Sequence, residues 1–111
     1  MSASARSLDR TLAALADPRR REIVDRLRHG PRAAGDLARD LNVSPSLMSR
    51  QLRALREVGI VEDSHPGFDS RLRIYALRPE PMVEVLRWLE ETERMWSEQL
   101  SAFKAHLEAP K

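Results

Sequence analysis

The chain contains no cysteine, and only two tryptophans, one tyrosine and two phenylalanines among its 111 residues. Without cysteine it forms no disulfide and no thiolate metal site, and it has no thiol to sense redox state. No apolar stretch approaches the roughly 18 residues of a membrane helix. The N-terminal residues also lack the uninterrupted apolar segment of a signal peptide. We therefore expect a soluble, cytoplasmic protein that does not contact a membrane.

Sequence motifs of catalysis and metal binding are missing as well. There is no glycine-rich phosphate loop and no dinucleotide fingerprint, and the serines within residues 44–49 have no neighbouring base. The three histidines, His29, His65 and His106, lie in unrelated segments, whereas a metal site needs three or four converging ligands. We therefore expect neither an enzyme nor a metal site, and no cofactor.

Charge is distributed unevenly along the chain. Residues 1–78 carry 15 Arg/Lys and 10 Asp/Glu, whereas residues 79–111 carry 4 and 7. A basic body with an acidic C-terminal segment favours a polyanionic partner for the body. The alternative is an arginine-rich chain whose charged faces are simply solvated, so charge alone does not identify the partner.

The clearest local pattern is "VSPSLMSRQLRALREVGIV" at residues 43–61. Ser44 and Pro45 predict a helix start, and Gly59 predicts its end. One face of this helix is apolar and comprises Met48, Leu52, Leu55 and Val58. The opposite face carries hydroxyls and guanidinium groups, namely Ser46, Ser49, Arg50 and Arg53. Such a helix packs one side on a core and offers the other to phosphates and base edges.

The remaining periodicity predicts a mainly α fold with a small β-hairpin. Residues 1–6 are expected to be disordered, and the predicted elements are helices at Ser7–Ala16, from Pro18 to Gly30, and at Ala33–Leu41, strands at Ile60–Ser64 and Arg71–Leu77 around a Pro66-Gly67 turn, and a helix at Met82–Leu107. This is the order of a winged helix-turn-helix. We expect a single domain over residues 1–111, with helices 1–4, the helix-turn-helix at 33–58 and a two-stranded wing at 60–77.

The final helix is apolar on more than one side. A main stripe contains Leu89, Trp96, Leu100 and Phe103, and Trp88, Met95 and Ala102 form a second stripe. The helix could cover only its own domain with one broad stripe. A small core, however, cannot cover a helix of about seven turns, which favours a homodimer. The predicted dimer contacts are Leu8, Leu12, Leu15, Leu89, Trp96, Leu100 and Phe103.

Three segments resemble the ArsR/SmtB family of bacterial transcriptional repressors. They are "LADPRRREIVDRL" (Leu15–Leu27), "GDLARDLNVSPSLMSRQLRALREVGIV" (Gly35–Val61) and "RIYAL" (Arg73–Leu77). The resemblance implies a homodimeric winged-helix repressor that binds an imperfect palindrome in double-stranded DNA and controls its own or a neighbouring operon. The runner-up interpretation is a winged helix that docks on a partner protein and ignores DNA; salt-dependent binding to duplex DNA would separate the two.

The resemblance also suggests which residues touch DNA. Ser46, Ser49 and Arg50 match recognition-helix contacts of the family, Arg71 and Arg73 match the basic residues of its wing, and Gln51 stands where relatives often have histidine. Together with the helix face described above, the predicted DNA-binding residues are Ser44, Ser46, Leu47, Ser49, Arg50, Gln51, Arg53, Arg71 and Arg73. The cluster Arg19–Arg21 either anchors flanking phosphates or is a solvated first turn held by Glu22 and Asp25.

The chain departs from the metal-sensing branch of that family. The positions of its Cys-x-Cys pair, just before the aspartate of the third helix, are Ala33 and Gly35 here. The final helix offers one histidine, His106, with Glu108 two residues away rather than three or four. We therefore expect a regulator that does not respond to metals. The inducer, the operator sequence and the regulated genes stay unidentified.

Overall fold

The computed structural model describes residues 3–65 and 72–110, within which five helices and three short strands follow one another. The helices are α1 (Ala3–Leu15), α2 (Pro18–Leu27), α3 (Ala34–Asp40), α4 (Pro45–Val58) and α5 (Pro79–Glu108), and the strands are β1 (Arg32–Ala33), β2 (Val61–Ser64) and β3 (Ile74–Leu77). The predicted fold class, a mainly helical winged helix-turn-helix with a long final helix, is confirmed.

Local capping determines where α2 and α4 begin and end. The Asp17 Oδ1 accepts the backbone N–H of Arg19 at 2.8 Å, and the Ser44 Oγ accepts that of Leu47 at 3.1 Å. These contacts satisfy N–H groups that have no partner within the helix. At the other end of α4, Gly59 adopts a φ of +89°, which suits a residue without a Cβ. The sequence signals for these caps are confirmed.

A compact apolar core lies between α1–α4 and the sheet. Its most deeply buried side chains are Ile23, Leu37, Met48, Leu52, Leu55, Ile60 and Val61, each at most 1% exposed. Thr11 is a polar residue in this environment, and its Oγ1 donates to the carbonyl of Ser7 at 3.0 Å. That bond stays within α1, so burial leaves the hydroxyl satisfied.

The first helix differs from its predicted extent. It begins at Ala3 rather than Ser7, so residues 3–6, expected to be disordered, are helical, while residues 1–2 lie outside the described part of the chain. Alanine has the highest helix propensity, and residues 3 and 5 are both alanines, which favours extending the helix toward the N-terminus. The prediction of disorder rests on the small and polar character of residues 1–6.

The wing is part of a three-stranded sheet and not of a two-stranded hairpin alone. The strand order is β1-β3-β2 and both pairings are antiparallel, with Arg32 opposite Tyr75 and Val61 opposite Leu77. Sequence reasoning missed β1, because two residues show no periodicity. The predicted second strand begins at Ile74 rather than Arg71, and Arg71 and the Pro66-Gly67 turn lie outside the described residues.

The burial of two side chains in and before β3 differs from what strand alternation predicts. Strand alternation along the predicted Arg71–Leu77 places Tyr75 on the same face as Arg73, yet Tyr75 is only 6% exposed and belongs to the core. The same alternation places Leu72 on the opposite face, and Leu72 is 40% exposed. Because Arg73 precedes the strand proper, the alternation that starts at Ile74 does not extend to it.

The final helix extends well beyond the folded core. It begins at Pro79, and the N–H group that proline lacks would have no partner in the first turn of a helix anyway. The helix runs for 30 residues, or about 45 Å. Thr92 is its last residue with partial burial, and every residue from Glu93 to Pro110 is exposed. The molecule is accordingly elongated, measuring 75 × 31 × 21 Å. No helix in residues 3–65 and 72–110 is long and apolar enough to cross a membrane.

The left-handed backbone conformation of Gly59 at the end of α4 can be tested by substitution, with Gly35 of α3 as the control. A Cβ at Gly59 would have space, since its nearest neighbour is Arg78 Nη1 at 3.9 Å, but the φ of +89° is strained for alanine. A Cβ at Gly35 in α3 would meet nothing within 4 Å, and the backbone there is not strained. We expect Gly59→Ala to lower the free energy of unfolding by about 1–2 kcal/mol, and Gly35→Ala to leave it unchanged or raise it by up to about 1 kcal/mol. Urea unfolding of both variants measures this, and equal effects would contradict the conformational argument.

Candidate DNA-binding surface

The connection between α3 and α4 sets the position of the α4 N-terminus. Asn42 adopts the left-handed conformation with φ of 54°, and the backbone N–H of Val43 donates to the Ala38 carbonyl at 3.0 Å. Asparagine tolerates this conformation better than most residues. The sharp turn leaves Ser44 free to cap α4 and brings the first turn of that helix to the surface.

The rotation of α4 exposes its polar face. Met48, Leu52 and Leu55 are buried, and the predicted DNA-reading side chains Ser46, Ser49, Arg50 and Arg53 are all exposed. Glu57 is also exposed and lies seven residues after Arg50, so it shares the outward face about 10 Å further along the axis. The part of this face suited to a polyanion is therefore the N-terminal half of α4.

Three other predicted DNA-binding residues have structural contacts. The Ser44 Oγ caps the helix and lies 3.3 Å from the Ser46 Oγ, and Leu47 is half-buried. The Oε1 of the half-buried Gln51 accepts a hydrogen bond from the Arg20 Nε at 2.9 Å. These contacts hold one flank of α4, and DNA contact by the three residues stays a prediction.

Arg20 is a structural residue that sequence reasoning did not single out. Besides Gln51, it contacts the Ala14 carbonyl at 3.5 Å and lies 4.0 Å from the Asp17 carboxylate. It thus joins the end of α1 and the start of α2 to α4. The solvated-turn interpretation is wrong for Arg20, which is half-buried and bonded to Gln51; phosphate anchoring by the cluster stays a prediction, and Arg19 and Arg21 are exposed. Nothing in the local pattern points from Arg20 to a residue 31 positions away.

On the opposite flank of α4, Asp63 of β2 forms ion pairs with two arginines. Its carboxylate accepts from Arg56 Nη1 at 3.2 Å and lies 3.9 Å from Arg73 Nη1, with the Asp63 side chain only 14% exposed. The Arg73 Nε also donates to His65 Nε2 at 3.1 Å. Arg73, predicted as a wing contact, is therefore held beside the C-terminal half of α4. Arg71, the other predicted wing residue, lies outside the described residues.

The predicted dimer residues form an apolar surface on α1 and α5. Leu8, Leu12 and Leu15 are half-buried, whereas Leu89, Trp96, Leu100 and Phe103 are 50%, 60%, 58% and 61% exposed. A monomer rarely leaves so many large apolar side chains on one helix in water, and such patches mark interaction surfaces.

The described residues do not assemble a metal site. No group of three or more His, Asp or Glu side chains in residues 3–65 and 72–110 is arranged to hold an ion. His65 accepts its hydrogen bond from Arg73, and His106 is exposed near the end of α5.

Comparison with known proteins gives a consistent result. Residues 17–63 match the family model described as bacterial regulatory protein, arsR family. The chain is 41% identical over 98 residues to the HTH-type transcriptional regulator Rv2034 of Mycobacterium tuberculosis. The alignment covers 88% of this chain and 86% of that protein.

Solved structures of similar proteins share the fold over nearly the whole chain. An ArsR-like transcriptional regulator from Rhodococcus sp. RHA1 superposes with a TM-score of 0.80 at 29% identity, covering 98% of this chain and all of the other. The homodimeric winged helix-turn-helix DNA-binding domain of Mb0332 from Mycobacterium bovis, described as a possible ArsR-family regulator, gives a TM-score of 0.64 at 25% identity over 82% of this chain and 83% of that one.

Proposed function

Since the chain belongs to the ArsR family of bacterial regulatory proteins, we propose that it is a homodimeric repressor that reads an operator through α4 of each copy. The resemblance seen in the sequence is confirmed, and the chain is a DNA-binding transcriptional regulator rather than an enzyme. Repression, the dimer, the operator and the absence of a metal response are the parts that we propose.

The observation that carries the proposal is the exposed N-terminal half of α4. Ser46 and Arg50 lie on the side opposite the buried Met48 and Leu52. An α-helix fits the major groove, where an arginine recognises the O6 and N7 atoms of guanine and a serine hydroxyl bonds to several base edges. Arg53, further along, suits a phosphate. Sequence discrimination would thus come from the first two turns of α4.

One α4 helix covers only a few base pairs, so a specific operator requires two copies. In dimeric helix-turn-helix proteins the two recognition helices lie roughly 34 Å apart on one face of the duplex, and the half-sites form a palindrome. The exposed apolar residues of α5, together with Leu8, Leu12 and Leu15, provide the surface that would hold two copies at a fixed spacing. The homodimeric Mb0332 domain supports this assembly.

Repression follows from such a dimer by exclusion. Two half-sites one helical turn apart occupy about 20 base pairs. A dimer bound across a promoter would block polymerase from that DNA without needing any further contact. We propose that the operator lies upstream of the chain's own or a neighbouring operon, and a footprint on that DNA tests the position.

We also propose that the regulator does not respond to transition metals. Cysteine is absent from the sequence, and the positions of the family's Cys-x-Cys pair are the half-buried Ala33 and the exposed Gly35. Zinc sites require three or four converging donors. Equilibrium dialysis against zinc is expected to leave no stoichiometric metal on the protein. A sub-micromolar site, or release from DNA on adding zinc, would contradict this part of the proposal.

The role of Arg50 can be tested by truncation. We expect Arg50→Ala to weaken binding to the footprinted operator by about 1–3 kcal/mol and to relax discrimination at one base pair, since a bidentate contact to a base edge is lost. Arg28→Ala is the matched control, because Arg28 is also exposed but lies at the far end of α2 from α4. It is eight residues, or about 12 Å along the helix, from Arg20, the residue of α2 that hydrogen-bonds to α4. Titrations at fixed salt on operator and mutated operator measure both. Equal affinities for Arg50→Ala and Arg28→Ala would exclude Arg50 from base reading.

The dimer surface can be tested with one charge placed on two sides of α5. Leu100 belongs to the apolar stripe, and Ala105, five residues later, lies roughly opposite that stripe; both are exposed in the single chain. We expect Leu100→Glu to dissociate the dimer and abolish operator binding although no residue of α4 changes. Ala105→Glu should leave both intact. Sedimentation equilibrium at micromolar concentration measures the mass, and a wild-type monomer that still protects a palindromic site would refute the assembly.

A further inference from the structure

An open groove of about 550 Å³ runs along the flank of α4 that faces α3 and β3. Four arginines from three parts of the chain line it, namely Arg39, Arg53, Arg56 and Arg73. Asp36 supplies the one carboxylate among its described lining residues. Asp63 pairs with Arg56 and Arg73 from outside the groove, so four arginines face two carboxylates and the described groove residues keep an excess of positive charge.

Most of these arginines are held in place before any ligand arrives. Asp63 fixes Arg56 and Arg73 from behind, and Arg39 forms an ion pair with Asp36 three residues earlier. The Arg53 side chain forms no hydrogen bond or ion pair with any residue that the structure describes. A ligand here would therefore meet guanidinium groups whose side-chain entropy is already partly lost, which lowers the cost of binding.

We propose that this groove binds backbone phosphates of the DNA strand that flanks the recognition helix, and that Arg39 of α3 and Arg56 of α4 are phosphate ligands. The inference rests on the proposed function and adds two residues that the sequence did not indicate. Arginine is the residue best suited to phosphate, because its planar fork donates two parallel hydrogen bonds. Ser49 and Arg53 belong to both the groove and the outward face of α4, so the two surfaces are continuous.

The structure favours this flank over the other. On the opposite side of α4, the Arg20 Nε is engaged with Gln51, which joins α2 directly to α4. On the groove side, α3 and β3 stand apart and leave space beside the helix. A strand bordering the major groove therefore has room to approach α4 on the side that carries four arginines.

A DNA strand fits the groove better than a free anion. The groove is open, so a small phosphate compound would remain largely hydrated and would gain little from each arginine. A strand already held by α4 places its phosphates at high effective concentration beside the groove. The bound phosphate would also release condensed counterions, which free anions do not carry in comparable density.

The test uses two surface pairs of the same kind. Arg39 pairs with Asp36 in α3, and Arg28 pairs with Asp25 at the end of α2, and both pairs are three residues apart and well exposed. We would measure binding of the full chain to a duplex of about 30 base pairs of mixed sequence at several NaCl concentrations. Phosphate contacts do not require the operator, because non-specific binding depends on them.

We expect Arg39→Gln to reduce the slope of log affinity against log salt by about one unit and the affinity near 0.1 M salt by about five- to tenfold. Arg28→Gln should follow the wild type closely. The double variant Asp36→Asn with Arg39→Gln keeps the wild-type net charge and should still show the reduced slope. Slopes for Arg39→Gln that match those for Arg28→Gln would overturn the proposal.

The source of the phosphate is tested in a second arm. Inorganic phosphate replaces chloride at equal ionic strength, and we expect equal DNA affinity in both salts. If calorimetry instead shows millimolar phosphate binding to the wild type but not to Arg39→Gln, while the two proteins bind DNA equally, the groove binds free anions and the DNA assignment is wrong. A wild-type chain that binds no duplex at any salt concentration would refute the proposed function itself, which is a different result from unaltered slopes.

Discussion

Burial of Met48, Leu52 and Leu55 fixes the rotation of α4 about its axis, and the direction of every outward side chain on that helix depends on it. Each buried side chain of this size contributes about 1.5–3 kcal/mol relative to exposure. Turning the helix enough to move Arg50 toward the core would lose these contributions and bury a charge. The polar face of α4 therefore points outward because of hydrophobic burial, and electrostatics acts on a surface that is already oriented.

The arginines of the basic body have different roles because their partners differ. Arg20 is turned toward Gln51 and the Ala14 carbonyl, where its charge strengthens a contact between helices. Arg56 and Arg73 share the largely buried carboxylate of Asp63, which positions them beside α4. Arg50 keeps its charge at the surface without a partner among the described residues. A guanidinium group has five N–H donors, so pairing with one carboxylate leaves donors that can still bind a polyanion.

The final helix presents the reverse situation, because its apolar side chains have too few partners. From Glu93 onward no described residue of α5 is even partly buried, yet Trp96, Leu100 and Phe103 recur at helical spacing. The same helix carries all seven acidic residues of residues 79–111. An apolar stripe next to acidic residues suits packing on another protein surface and would keep these carboxylates away from DNA phosphates.

The sequence by itself determined the features that local chemistry controls. The caps at Asp17 and Ser44, the left-handed Gly59 and the buried face of α4 depend on residues within a few positions of one another, so spacing and residue type were sufficient to predict them. The exposed Ser46, Ser49, Arg50 and Arg53 follow from that same periodicity. The resemblance to a known family rested on these segments too.

The tertiary structure decided the contacts between residues distant in the chain. The strand β1, the buried Tyr75, the bond from Arg20 to Gln51 and the placement of Arg39 and Arg56 along one groove have no signature in the local pattern. Each depends on which elements the core brings side by side, and a two-residue strand or a single arginine carries no periodicity. The physical reason is that a guanidinium takes its role from the carboxylate or carbonyl that folding places beside it, and sequence spacing does not encode that neighbour.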